Sequence, residues 1–247
     1  MLKKEFVDLL GVMGVKERFI NSIEYLRKMD FFNEYSNLTS EEIFEKVKEW
    51  ARWTWNEGEW EKSSDFDVDR YALAVDSKRS LSLLIKWDDT FYPEKRCAET
   101  LEKLASFSRG AFQPTDIEYE EAKEWTDRKK SWPEKYEVSV HFKFRNQRKT
   151  IKFPFSHEWL GIDEVLAQIN HLIRDTEYQY YLYGDYYRGL GGGEFAEAYV
   201  LTKKEVRKLV KERGWELYHP VLIGGRTRAL KIPARRNRGT SRASKAH

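Results

Sequence analysis

The sequence predicts an α+β fold: a mostly helical N-terminal half packed with a C-terminal antiparallel sheet of ββαββα order, its helices on one face. Three observations carry this expectation. Residues 39–56 open with a helix start signal and continue at helical spacing, with Gly58 as the stop. From Tyr136 the chain alternates apolar and polar residues. Two apolar helical stripes then interrupt the later strands.

The elements follow in order. The first residues, MLKKEFVDLLGVMG, read as a short helix and not as a signal peptide, since Asp8 interrupts the apolar stretch and no small-residue cleavage site follows. Glu17–Met29 places Phe19, Ile20, Ile23 and Leu26 on one helical face. Thr39 and Glu42 have the spacing of a capping box, with Leu38 and Ile43 as its staple, and Phe44, Val47 and Trp50 continue the helix. Leu81–Trp87 reads as a buried strand, whereas Tyr71–Val75 fits strand or helix. Lys95–Ser108 forms a helix with Cys97, Leu101, Leu104 and Ala105 inward, and Asp116–Lys129 a more polar one.

Past Trp132-Pro133 the period becomes two. Tyr136, Val138, Val140, Phe142 and Phe144 share one face, and Ile151, Phe153 and Phe155 return along it, an antiparallel hairpin turning near Asn146. Ile162, Val165, Leu166, Ile169, Leu172 and Ile173 make a helical stripe. Tyr178–Tyr183 and Phe195–Leu201 are strands, and Thr202 with Glu205 caps a last helix that stops at Gly214. The organisation expected is therefore a helical region at 1–130, a sheet region at 133–223, and a basic disordered tail at 224–247.

Charge divides the chain unevenly. Of 44 basic and 41 acidic residues, eight basic and no acidic ones lie in 224–247, so 1–223 carries 36 basic against 41 acidic, a net of −5. One cysteine, Cys97, leaves no intramolecular disulfide and fits a reducing compartment. No run approaches the roughly 20 apolar residues of a membrane span. The expected location is cytoplasmic, with no membrane partner.

Candidate chemistry is sparse. Asp65, Asp67 and Asp69, if extended, put three carboxylates on one face, where a hard cation would bind, with Asp88 and Asp89 as further ligands; this is the metal-dependent hydrolase reading. The glycine loop 189–193 joins two strands rather than a strand to a helix, so it lacks the context of a phosphate loop. The histidines show no metal spacing, and Asp76-Ser77-Lys78 offers only a fragment of a nuclease motif. No motif calls for a cofactor.

Two features point to partners. Trp50, Trp53, Trp55 and Trp60 cannot all face inward from one helix. Tyr181, Tyr183, Tyr186 and Tyr187 sit in a run that puts tyrosines on both faces of a strand and into the following loop. Such residues anchor interfaces with little loss of side-chain entropy, which makes Trp53, Trp55, Trp60 and these four tyrosines the partner-binding candidates. In the tail, Arg226, Arg228, Arg235, Arg236, Arg238 and Arg242 have the charge to contact phosphates. The leading expectation is a non-enzymatic intracellular protein-interaction module of the adaptor, regulatory or toxin-immunity type. Its acidic, aromatic-rich body would suit a basic protein partner, and nucleic acid would be reached through the tail alone.

Overall fold

A computed structural model describes residues 2–51, 63–86, 93–119, 135–156, 159–183 and 195–233. Helix α1 spans Leu2–Arg27, one element where the sequence suggested two. Helix α2 (Ser40–Trp50) begins at the expected box: the Thr39 hydroxyl accepts from the Glu42 amide, and the Glu42 carboxylate accepts from the Thr39 amide at 2.7 Å. Helix α3 (Asp65–Leu73) and strand β1 (Ser80–Leu84) follow, then helix α4 (Pro93–Ser106). Strands β2 (Thr115–Tyr119), β3 (Lys135–Phe144), β4 (Gln147–Ser156) and β5 (Trp159–Leu160) precede helix α5 (Ile162–Leu172). Strands β6 (Tyr178–Tyr183) and β7 (Phe195–Thr202) lead into helix α6 (Lys203–Arg213), and the hairpin β8 (Leu217–Ile223) and β9 (Arg226–Lys231) completes the described chain.

The fold is α+β, but the strands form two antiparallel sheets rather than one. A four-stranded sheet has the order β2-β3-β4-β5 and a five-stranded sheet the order β1-β7-β6-β8-β9. The long hairpin and the later strands therefore belong to different layers. Its turn is Arg145-Asn146, both at positive φ, the conformation that matches the twist of a two-residue hairpin. The expected helix at Asp116–Lys129 is replaced at its start by β2, which pairs with β3; Ile117, half-buried, is the only inward anchor there, and the segment has no helical stripe to pack. The remainder of that expectation lies outside the described residues.

The five-stranded sheet is buried on both faces near its middle. Tyr180 and Leu182 of β6, with Ala196, Ala198 and Val200 of β7, join one core shared with α4, α5 and the β3–β4 hairpin. The alternate residues Tyr181, Tyr199 and Leu201 join a second core with α1, α2, α3 and α6. Period-two alternation thus sends successive side chains into two different cores. Cys97 sits in the first core, and burial pushes its thiol pKa up, as befits a small core residue. None of the described helices is long and apolar enough to cross a membrane.

Candidate functional site

The helical side of the sheet is tied by charged groups, and they account for the aspartate run. Asp65–Asp69 is helical, so the three carboxylates do not share a face. Asp67 closes a second capping box: the Ser64 hydroxyl accepts from its amide, and its carboxylate accepts from the Ser64 amide at 3.0 Å. Asp69, fully buried, accepts a two-pronged bond from Arg213 at 2.6 and 2.9 Å, plus bonds from Ser22 Oγ at 2.5 Å and Trp215 Nε1 at 2.9 Å. Asp65 lies 3.2 Å from Arg213. With one carboxylate capping a helix and another saturated by three side-chain donors, the set does not fit a cation. Among the described residues no three His, Cys, Asp or Glu side chains gather as a metal would need. Asp88 and Asp89 lie outside the described residues. Asp76 is likewise engaged within the fold: it is fully buried, and its carboxylate accepts from the Phe32 and Lys78 amides.

A second buried seam joins Arg79, Glu205 and Arg109. Arg79 Nη2 and Arg109 Nη1 reach Glu205 Oε1 at 2.8 and 2.9 Å, while Arg79 Nη1 donates to the Met29 and Asp30 carbonyls. Burial raises the Glu205 pKa, but the Thr202 amide and the two guanidinium groups outweigh it and hold the carboxyl below its usual value. Glu205 is also the capping-box residue, so the cap and the ion pairs share one side chain.

The expected aromatic surface resolves differently. Tyr181 is not a surface residue; it is 3% exposed within the second core. Tyr183 is half-buried, packed 4.7 Å from the Phe66 ring and under the Arg70 guanidinium, which in turn binds Glu197 with both prongs. Both tyrosines point to the helical side, where a covering layer awaits them. Trp53, Trp55, Trp60, Tyr186, Tyr187 and the glycine loop 189–193 lie outside the described residues.

An exposed feature with binding geometry among the described residues is the β8–β9 hairpin, at the margin of the five-stranded sheet. The chain from Gly224 is not a disordered tail throughout: Gly224 and Gly225, at φ 58° and 75°, make the tight turn, and Arg226–Lys231 pair along β8. Ile232 donates to the Leu217 carbonyl at 2.9 Å and packs on the second core, which anchors the strand's far end. Arg235, Arg236, Arg238 and Arg242 lie outside the described residues.

Register fixes what β9 presents. Opposed residues in an antiparallel pair share a face, so Ile223–Arg226, Val221–Arg228 and His219–Leu230 lie together. They continue the face on which Leu217 is buried, but beyond the helices that cover it. Ile223 and Leu230 are 46% and 44% exposed. Arg226 and Arg228 make no ion pair among the described residues, whereas Lys231 lies 3.5 Å from Glu216. The Ile232–Leu217 bond also sets the ladder's phase. Residues 226, 228, 230 and 232 bond to β8, and the N–H and C=O groups of Thr227, Ala229 and Lys231 point to the outer edge. Among the described residues no strand pairs with that edge.

The hairpin is held to the rest of the sheet by a short backbone pairing and by a side chain. Pairing of β6 with β8 covers Leu182–Tyr218 and Tyr183–Leu217 and stops short of Pro220, which has no N–H to give. Asn170 of α5, 3% exposed, fills the gap. Its Nδ2 donates to the carbonyls of Tyr180 and Pro220, both at 2.9 Å, and its Oδ1 accepts from the Tyr180 amide at 2.7 Å. On the opposite face the His219 ring lies 4.9 Å from that of Tyr181, with its Nε2 buried and without a hydrogen-bond partner among the described residues. Burial, then the charge of Lys203, lowers its pKa to about 4.

The sequence reasoning missed this hairpin. Gly224-Gly225 between LYHPVLI and RTRALKI was its signal, obscured by Pro220 and by the arginines on the second strand. No family model matches the chain, and neither a curated protein nor a solved structure matches it.

Proposed function

We propose that the chain is a non-enzymatic protein-interaction module, of the adaptor, regulatory or immunity kind, and that its contact element is the outer edge of β9. The observation that carries this reading is the row of outward backbone groups at Thr227, Ala229 and Lys231, beside the exposed Ile223 and Leu230. An open edge with apolar side chains is the template for strand addition, in which main-chain bonds supply affinity and alternate side chains supply selectivity. This departs from the expected aromatic contact surface, because the described tyrosines of that set are engaged within the fold.

The test uses the full chain and Ala229→Pro. Proline at 229 removes an outward N–H while leaving the β8 ladder bonds in place. A photo-cross-linker at position 227 is expected to capture the same protein reproducibly from the native host with the unaltered chain and not with Ala229→Pro. Capture that is indifferent to proline would contradict use of the edge.

A second reading, nucleic-acid association, draws support from Arg226 and Arg228, which share one face and make no ion pair among the described residues, followed in sequence by Arg235, Arg236, Arg238 and Arg242. Such binding would be sequence-blind and would weaken linearly in log affinity with log salt, by about 0.9 per phosphate contact on duplex DNA. Filter binding on DNA and RNA across a salt series checks it.

A further inference from the structure

We infer that the segment β9 receives is an acidic strand from another protein, added antiparallel, with an apolar residue facing Leu230 and carboxylates facing Arg228 and Arg226. This rests on the edge reading above. The phase of the ladder places Thr227, Ala229 and Lys231 opposite hydrogen-bonded partners in an added antiparallel strand. Arg226, Arg228 and Leu230 then fall at the non-hydrogen-bonded positions, where opposed Cα atoms approach to about 4.5 Å and side chains meet most closely. The partner therefore reads, from its N-terminus, apolar-x-acidic-x-acidic.

Charge selects among occupants. β9 carries Arg226, Arg228 and Lys231 and no acidic residue, and among the described residues only Lys231 of these lies near a carboxylate. A second copy pairing edge to edge would set one basic strand against another, the arrangement by which natural sheets prevent self-association. A basic segment meets the same repulsion. A carboxylate opposite each arginine instead gains a favourable cross-strand pair, and Leu230 and Ile223 lose part of their exposed surface. The other side chains of the added strand would extend toward α5, the side on which Thr227 and Ala229 are half-buried.

The probe is a short capped peptide with the spacing valine-x-glutamate-x-glutamate, compared by fluorescence anisotropy with matched peptides carrying lysine or glutamine at the two acidic positions. The full chain is expected to bind the glutamate peptide at least about tenfold more tightly than the lysine peptide. Arg226→Glu with Arg228→Glu is expected to invert that preference, while Ala229→Pro and, independently, Thr227→Pro abolish binding of every peptide. Equal affinity for all three peptides, with loss on Ala229→Pro, would overturn the acidic assignment and leave the edge reading standing. Binding that survives both proline variants would overturn both. Concentration-dependent dimerisation lost on Ala229→Pro would assign the edge to a second copy and overturn the inference. RNA binding that needs the arginines but ignores the prolines, with no peptide bound, would overturn it in favour of the nucleic-acid reading.

Discussion

The middle of the five-stranded sheet and its β8–β9 margin solve the same problem in different ways. β6 and β7 are covered on both faces, and each face ends in a specific lock: Tyr180 donates to the Leu104 carbonyl at 2.7 Å on one side, and Asp69 and Glu205 bind arginines on the other. The β8–β9 hairpin has α5 behind it, and the helical layer covers only the end near Leu217. Its tie to β6 beyond Tyr218 is Asn170. Burial on two faces makes β6 and β7 scaffold; burial on one leaves β9 free to pair outward.

Asp69 defines the scaffold side of that contrast. Asp69→Ala leaves the half-buried Arg213 guanidinium with only its longer bonds to Asp65, and the buried Trp215 N–H without its acceptor, and is expected to cost about 3 kcal/mol in urea denaturation. A loss under about 1 kcal/mol would mean the seam is not structural. Asn170→Ala strips acceptor and donor from Tyr180 and Pro220, and is expected to cost about 2 to 3 kcal/mol, with β8 amides exchanging faster than those of β7. Uniform acceleration across both strands would erase the distinction drawn between middle and margin.

Acid sharpens the comparison further. His219 has a folded pKa near 4 against 6.5 for the free ring. The unfolded chain therefore takes up a proton first as pH falls. Stability is expected to decline from about pH 6.5 and to have lost the whole of this contribution by about pH 4. His219→Gln is expected to flatten this limb of the pH–stability curve. An unchanged limb would place the sensitivity elsewhere.

Much of this was legible. The Thr39/Glu42 and Thr202/Glu205 boxes declared their helices, and the alternation from Tyr136 to Phe155 declared its hairpin. The tyrosines of β6 misled because residues apolar on both faces of a strand are equally the mark of a central strand between two cores and of an exposed aromatic surface. The aspartate run misled because Ser64-x-x-Asp67 is itself a capping box, which makes the segment a helix. Local pattern cannot reveal that Asn170, on an otherwise apolar stripe, substitutes for a ladder bond that Pro220 cannot make, since the two are 50 residues apart.

Ala229→Pro carries the smallest expected effect on stability, within about 1 kcal/mol, because an edge strand whose N–H points outward tolerates proline. Thermal melting of the two chains checks it, and a larger loss would mean that the Ala229 N–H is already engaged within the fold.

The most direct test of the account is amide hydrogen exchange along β9, resolved residue by residue in the full chain with and without the valine-x-glutamate-x-glutamate peptide. In the free chain the amides of Arg228, Leu230 and Ile232 are expected to be protected and those of Thr227, Ala229 and Lys231 to exchange rapidly. Saturating peptide should slow the second set and leave the first nearly unchanged. Protection of Ala229 without peptide, or no change at these three amides when the peptide is bound, would contradict an open edge that receives a strand.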